Sequence, residues 1–120
     1  MARLRIGTCS WKYPSWAGLV YSTEETDFLS EYCSRFNTVE VDQWFWSLFG
    51  SGTPRLPRQS DVEQYRHCVP DDFRFTAKVP NSITLTHFRG KSKGDPLVPN
   101  PHFLSVPLFN AFLECLLPLH

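Results

Sequence analysis

Three stretches of the chain either alternate between apolar and polar residues or are rich in β-branched residues, and each predicts a β-strand. The first covers about residues 3–9, where Leu4 and Ile6 alternate with polar neighbours. The second covers about residues 38–45, and the third about residues 73–79. Turn-forming residues bound each stretch, so we expect short strands separated by long connections.

Three further stretches carry apolar residues at helical spacing and predict amphipathic α-helices. Ser22 and Glu25 have capping-box spacing near the start of the first helix, and Pro107 suits the first turn of the last. A Gly- and Pro-rich segment, residues 88–102, predicts a mobile loop between the third strand and the last helix. The predicted helices cover about residues 24–36, 60–68 and 107–117.

Strands and helices alternate in this prediction, which is typical of an α/β fold with parallel strands and right-handed crossovers. The 120 residues suffice for one domain at most. Three parallel strands make a small sheet, and the helix over 107–117 has more apolar surface than that sheet can cover. We therefore predict a single partial domain over residues 1–120, completed by self-association or by a missing C-terminal part.

Composition narrows the classes of function. Twelve Lys and Arg residues balance twelve Asp and Glu residues, which excludes a protein that binds nucleic acid through its overall charge. The 42% of hydrophobic residues suits a globular chain. Four cysteines without paired spacing, no basic apolar leader and no long apolar run predict a reduced, cytoplasmic protein that does not enter a membrane.

Three separated motifs carry a family resemblance, and they occur in the family's order. They are Ile6-Gly7-Thr8-Cys9-Ser10-Trp11, Phe36-Asn37-Thr38-Val39-Glu40-Val41-Asp42, and Phe73-Arg74-Phe75 followed by Lys78. Together they resemble the N-terminal part of the DUF72 family of YecE-like proteins, which are similar to TIM-type barrels. The resemblance implies that the chain forms about the first three units of a (β/α)8 barrel. The chain departs from the family pattern at Ser10, where a glycine is common.

Functional groups of a parallel α/β barrel lie at the carboxyl ends of the strands, and this rule selects the catalytic candidates Glu40, Lys78 and His87. Glu40 lies in an apolar run, so its carboxylate is expected either to pair with Lys78 or to have a raised pKa. The Glu40–Lys78 pair can equally be a structural ion pair. Lys78 suits anion binding or a salt bridge better than covalent chemistry, and His87 is either a catalytic group or an ordinary loop residue.

Aromatic and polar residues near the same strand ends are the candidates for ligand binding. The rings could stack on a sugar or a base, or they could simply fill the mouth of the barrel. A carboxylate–imidazole set of Glu40, Asp42 and His87 matches no metal-binding spacing, so we predict no metal and no cofactor. The predicted ligand-binding residues are Trp11, Tyr13, Trp16, Asp42, Trp44 and Asn81.

These observations favour a protein that binds a small or extended anionic ligand containing phosphate or sugar. Fold analogy favours hydrolysis or isomerisation as the reaction class, and whether the protein is an enzyme stays open at this stage. One alternative is a non-catalytic nucleic-acid-binding module, in which basic loops hold phosphates and tryptophans stack on bases. The other is an inactive fragment of a truncated barrel.

Overall fold

The computed structural model describes residues 1–48, 52–90 and 92–120. The described chain has a mixed α/β fold with one parallel and one antiparallel two-stranded sheet. Two short 3₁₀ turns, Pro14–Trp16 and Leu117–Leu119, complete the regular structure. The helices are α1 (Phe28–Tyr32), α2 (Gln59–His67), α3 (Asn81–Thr84) and α4 (Val106–Leu116), and the strands are β1 (Thr38–Val41), β2 (Arg74–Ala77), β3 (His87–Phe88) and β4 (Val98–Pro99).

Strands β1 and β2 pair in parallel, with Glu40 opposite Thr76. The predicted first strand over 3–9 is wrong as a regular strand, because the segment meets β1 at a single parallel bridge between Cys9 and Glu40. Backbone hydrogen bonds still hold it alongside β1: the Glu40 amide donates to the Thr8 carbonyl at 3.0 Å, and the Ser10 amide donates to the Glu40 carbonyl at 2.8 Å. Ser10 has a φ of 62°, a left-handed conformation that favours glycine.

The buried hydroxyl of Tyr32 fastens this first segment to β1. It accepts a hydrogen bond from the Thr8 amide at 2.8 Å and donates to the Thr38 carbonyl at 3.0 Å. Tyr32 has no solvent-exposed surface and belongs to the apolar core. The ring therefore fills the core while its polar end bridges two chain segments.

Tyr32→Phe should lower the free energy of unfolding by about 1–3 kcal/mol, because the variant keeps the packed ring but leaves the Thr8 amide and the Thr38 carbonyl without this partner. Urea titration followed by circular dichroism measures the effect. Tyr13→Phe is the matched control, since Tyr13 is half-buried and its hydroxyl donates to one carbonyl, that of Cys9. Equal stability of Tyr32→Phe and the wild type would contradict the bridging role.

The helices cover one face of the parallel sheet. Val39 and Val41 of β1 point into a core that contains Val62 of α2 and Phe112 of α4. The opposite face, which we call the inner face, bears Thr38, Glu40, Arg74 and Thr76. These side chains are half-buried or exposed, and they border an open hollow of about 520 Å³. Alternation along both strands thus separates an apolar, helix-covered face from a polar, open one.

The ends of several elements differ from their predicted positions. The first helix starts at Phe28 instead of residue 24, because Asp27 is its N-cap and accepts from the Ser30 amide. Ser22 does not cap that helix, and its hydroxyl donates to the Glu31 carboxylate at 2.5 Å. The strand predicted over 38–45 ends at Val41, where a turn follows.

The other two predicted helices lie close to their expected positions. The helix predicted over 60–68 is α2, and the helix predicted over 107–117 is α4. The Ser105 hydroxyl caps α4 by accepting from the Leu108 amide at 3.3 Å. The apolar spacing of both helices matches their buried sides, which include Val62 and Phe112.

The predicted loop over 88–102 contains a short antiparallel ladder, which the simple alternation of strands and helices did not include. His87 lies opposite Pro99, and Phe88 lies opposite Val98. Lys91, in the basic part of this loop, lies outside the described residues. The mobility of the loop stays a prediction.

Apolar residues of α4 remain exposed on the side away from the core. Leu113 and Val106 are open to solvent, and the 3₁₀ turn adds Leu117. This surface continues to the outer edge of β2, which has β1 as its one strand neighbour within the described residues. Across that described portion, none of the helices has the length and apolar character needed to cross a membrane.

Candidate functional site

The carboxyl end of β1 and the adjoining segments bring two groups of polar side chains together. One group lies on the inner face, where Glu40 is half-buried beside the exposed Cys9. The other lies on the helix side, in a groove that we call the Lys12 groove. The groove is lined by Trp11, Lys12, Pro14, Thr26, Asp27, Phe28, Leu29, Gln43, Asp61, Gln64, Tyr65 and Cys68.

Glu40 and Lys78 do not form the expected ion pair. Within the described residues the ion pairs are Arg3 with Asp72 and Arg66 with Asp71. Glu40 lies opposite Thr76 in the register, and Lys78 comes two residues later, beyond the end of β2. The Lys78 ammonium lies 5.1 Å from the centroid of the Phe45 ring. The ion pair is therefore a wrong prediction, while the catalytic roles of these two residues stay predictions.

Two carboxylates near Cys9, those of Glu40 and Asp42, affect the pKa of its thiol. Desolvation by neighbouring atoms raises the pKa of the Cys9 thiol above its ordinary value, and hydrogen bonding with Glu40 and Asp42 and the negative charges of these carboxylates raise it further. The thiol is therefore protonated at neutral pH, and a protonated thiol is a poor nucleophile.

His87 lies apart from these carboxylates in the antiparallel ladder. Its side chain is exposed, and its Nδ1 lies 3.2 Å from the Thr86 hydroxyl. In the ranges 1–48, 52–90 and 92–120, no three His, Cys, Asp or Glu side chains are arranged to hold a metal ion. A catalytic role for His87 stays a prediction.

The predicted aromatic residues divide into a packed pair and a more exposed pair. Trp11 and Trp44 are buried, and both contact Tyr65, with ring centroids 4.9 Å and 6.0 Å away. Tyr13 and Trp16 are half-buried and lie against each other at 4.6 Å. Packing thus accounts for most of the surface of Trp11 and Trp44, and the Trp11 ring also contributes to the wall of the Lys12 groove.

Asn81 is buried in a polar network with Ser47 and Phe45. Its side-chain oxygen accepts from the amide of Ser47 at 2.9 Å and from the hydroxyl of Ser47 at 3.1 Å. The Asn81 amide donates to the Phe45 carbonyl at 2.7 Å. These contacts fix the segment that follows β1, so the structural role of Asn81 is clear, and its ligand-binding role stays a prediction.

Three residues that the sequence analysis did not select form the best-organised polar cluster. The Lys12 ammonium donates to the Gln43 side-chain oxygen at 2.8 Å and to the Tyr65 hydroxyl at 3.0 Å. The Gln43 side-chain amide donates to the same hydroxyl at 2.6 Å. The ammonium also lies 5.4 Å from the ring centroids of both Trp11 and Tyr65, where the aromatic faces attract a cation.

This cluster retains hydrogen-bond donors that can act on a ligand. Lys12 has three N–H donors, two of which are used by Gln43 and Tyr65. The Tyr65 hydroxyl accepts two hydrogen bonds, so its own proton can be donated elsewhere. The groove has a cavity volume of about 600 Å³, within the usual range for small-molecule sites.

Two carboxylates also line the groove, and their contacts differ. Burial acts to raise the pKa of Asp27, but hydrogen bonds from the Ser30 side chain and amide outweigh burial and hold this pKa below its ordinary value. The Asp27 carboxylate therefore serves as the N-cap of α1. Asp61 is half-buried in the first turn of α2, and in the described chain its carboxylate makes no hydrogen bond or ion pair.

Comparison with known proteins identifies the class to which this mixed α/β chain belongs. A family model described as "Protein of unknown function DUF72" matches residues 5–120. The chain is therefore a member of the DUF72 family, and the resemblance seen in the sequence motifs is confirmed.

Two curated relatives are the UPF0759 protein YecE of Escherichia coli strain K12 and the UPF0759 protein YecE of Escherichia coli O157:H7. This chain is 31% identical to each of them over 93 residues, which is 78% of this chain and 29% of each relative. The chain thus spans less than a third of the length of the curated relatives that it matches. No solved structure matches it.

Proposed function

We propose that the chain binds a small anionic ligand in the Lys12 groove, at the carboxyl ends of the first strands of a barrel of the TIM type. The observation that carries this proposal is the cluster of Lys12, Gln43 and Tyr65, in which an ammonium and a hydroxyl keep unused donors. A carboxylate or a phosphate satisfies both donors and balances the charge of the ammonium. The apolar surfaces of Trp11 and Phe28 suit the remainder of such a ligand.

The proposed barrel rests on the parallel pairing of β1 with β2 and on the first segment that runs beside β1. The exposed apolar side of α4 and the open edge of β2 support completion by further chain or by a second copy. In this arrangement the inner face would line the barrel interior. We also propose a cytoplasmic location, as the sequence predicts.

Hydrolysis or isomerisation of a phosphate- or sugar-containing ligand is the reaction class that we propose for the inner face, across the sheet from the Lys12 groove, with Glu40 as acid or base and Lys78 and His87 as the other predicted catalytic groups. Support for Glu40 comes from its half-buried carboxylate at the centre of the inner face. The alternative of a nucleic-acid-binding module has less support, because Trp11 and Trp44 pack against Tyr65 instead of standing open for base stacking.

Lys12→Met should weaken the binding of benzoate and of phenyl phosphate about tenfold or more, because it removes the ammonium while keeping an apolar stem of similar length. Isothermal titration calorimetry measures this change. Lys93→Met is the matched control, since Lys93 is exposed in the loop between β3 and β4 and should leave both affinities unchanged.

Two results would contradict the proposal. Unchanged affinity in Lys12→Met would show that the anion binds elsewhere. The absence of binding to the wild-type chain, under conditions in which it unfolds cooperatively, would favour the inactive fragment.

A further inference from the structure

The orientation of the Gln43 side-chain amide follows from its two partners. The Lys12 ammonium has only donors, so the Gln43 atom that lies 2.8 Å from it is the side-chain oxygen. The Gln43 nitrogen therefore lies toward Tyr65 and donates to its hydroxyl at 2.6 Å. Because that hydroxyl accepts from both Lys12 and Gln43, its own proton is left for another acceptor.

Each of the three side chains in this cluster keeps one hydrogen-bond donor within the part of the chain that the structure describes. Lys12 uses two of its three N–H groups, Gln43 uses one of its two side-chain N–H groups, and Tyr65 keeps its O–H. The Tyr65 oxygen lies 3.0 Å from the Lys12 nitrogen and 2.6 Å from the Gln43 nitrogen, so the three donor atoms lie within reach of one small group. All three residues line the Lys12 groove.

Three donors on three separate atoms suit a phosphate better than a carboxylate. The phosphate group of a monoester has three terminal oxygens, one for each donor, whereas a carboxylate has two oxygens in one plane. Hydrogen bonds to a charged oxygen are stronger than those between neutral groups, so the third contact adds appreciably to the affinity.

The hollow that adjoins the groove adds positive charge near Gln43. Gln43 and Asp61 line both spaces, and Arg55 and Arg58 line the adjoining one. Among the described residues of this hollow, two guanidinium groups therefore accompany one carboxylate, and their field attracts a doubly charged group more strongly than a singly charged one. A phosphate monoester carries a charge of about −1.5 to −2 at neutral pH.

We propose that the anionic group bound in the Lys12 groove is the phosphate of a phosphate monoester, which accepts one hydrogen bond each from Lys12, Gln43 and Tyr65. This inference rests on the proposed function, because it assumes that the anion binds at Lys12. Lys12 and Tyr65 already satisfy the two oxygens of a carboxylate. Gln43 is then the residue that distinguishes a phosphate from a carboxylate.

Phenyl phosphate and benzoate share one ring and test this preference. Calorimetric titration of the wild-type chain near neutral pH should show that phenyl phosphate binds about tenfold more tightly than benzoate, because it gains the Gln43 contact and the second charge.

Gln43→Met should remove most of the preference for phosphate. The variant should bind phenyl phosphate about tenfold more weakly than the wild type and benzoate about twofold more weakly, since it loses the third donor and keeps Lys12 and Tyr65. Gln43→Leu, a second apolar replacement, should give the same order. Gln59→Met is the matched control, because Gln59 is exposed and donates to Glu63 on α2. Thermal melts confirm that each variant is folded.

Benzenesulfonate separates the number of oxygens from the charge, because it has three terminal oxygens and the same single charge as benzoate. Gln43→Met should therefore weaken the binding of benzenesulfonate by a larger factor than the binding of benzoate. Equal factors for these two probes would show that charge alone distinguishes the ligands, and they would overturn the role of Gln43 as the third donor.

The remaining outcomes separate this inference from the proposed function. If Lys12→Met loses benzoate while the wild type binds phenyl phosphate no more tightly than benzoate, the phosphate inference is overturned and the anion site stands. The same conclusion follows if Gln43→Met weakens all three probes by one factor, because Gln43 then only positions Lys12. If Lys12→Met binds all three probes as well as the wild type does, the anion site and the inference fail together.

Discussion

Phe112→Ala should lower the free energy of unfolding by about 3–5 kcal/mol, the largest single effect that we expect in this chain. Phe112 is 2% exposed and belongs to the cluster that joins α4 to the helix-covered face of the sheet. Removing the ring takes away its buried apolar area and leaves a cavity that surrounding residues fill incompletely. A loss of this size is a large fraction of the stability of a typical domain.

Chemical denaturation of Phe112→Ala and of the control Leu113→Ala measures this effect. Leu113 is the next residue on the same helix and is 44% exposed, so its truncation should cost well under half as much. Equal losses in the two variants would mean that α4 does not pack through Phe112. They would also place the exposed side of α4 in an interface.

The stability of the chain should fall at alkaline pH because of Tyr21. Desolvation raises the pKa of this phenol to about 12, and negative charge from Tyr32, Glu31 and Tyr13 adds to the rise. The Tyr21 hydroxyl donates to the Trp11 carbonyl, so the folded chain favours the protonated form. In the unfolded chain the phenol has its ordinary pKa of about 10.

The sign of the effect follows from the two pKa values. Below about pH 10 both states hold the proton, and the stabilisation is fully present. Above that pH the unfolded state releases the proton first, so stability falls by about 1 kcal/mol by about pH 11 and by up to about 3 kcal/mol once the pH exceeds the folded-state pKa.

Comparison of the wild type with Tyr21→Phe isolates this contribution from other groups that titrate at high pH. The difference in unfolding free energy between the two proteins should shrink between about pH 9 and about pH 12. A difference that stays constant over that range would contradict the protected phenol.

Local sequence signals predicted the helices whose residue pattern by itself indicates a helix. The helices α2 and α4 were predicted because the apolar spacing of both and the position of Pro107 in α4 are typical of helices. The stretch over 3–9 was predicted as a regular strand because its apolar and polar residues alternate, and such alternation indicates which face of a strand each side chain occupies. Alternation does not report whether a neighbouring strand is present to complete the ladder.

The organisation of the candidate site was harder to predict. The position rule selected Trp11 and Asp42, yet the best-organised donors belong to the adjacent residues Lys12 and Gln43. Tyr65 is buried on the apolar face of α2, where helical spacing indicates only packing, yet its hydroxyl contacts Lys12 across 53 positions of the sequence. Such a contact depends on how the segments after the strands meet, which local patterns do not encode.

The predicted Glu40–Lys78 pair failed for a related reason. Both residues were placed correctly near the carboxyl ends of adjacent parallel strands, but the prediction lacked the register between those strands. A pairing of Glu40 with Thr76 moves Lys78 beyond the end of β2, where its ammonium contacts Phe45. Lys78 lies two residues beyond the position opposite Glu40, and this offset is enough to exchange an ion pair for a cation–π contact.

The central claim is that the chain binds an anion in the Lys12 groove, and the location of the bound anion tests this claim most directly. Titration of the ¹⁵N-labelled chain with benzoate, followed by heteronuclear NMR, reports on the side-chain amide of Gln43 and the indole N–H of Trp11. Binding in the Lys12 groove should shift these signals together, while the indole N–H of the exposed Trp46 and the backbone amide of Thr76 on the inner face stay unchanged. Shifts at Thr76 and Cys9 without shifts at Gln43 would place the anion on the inner face and contradict the account.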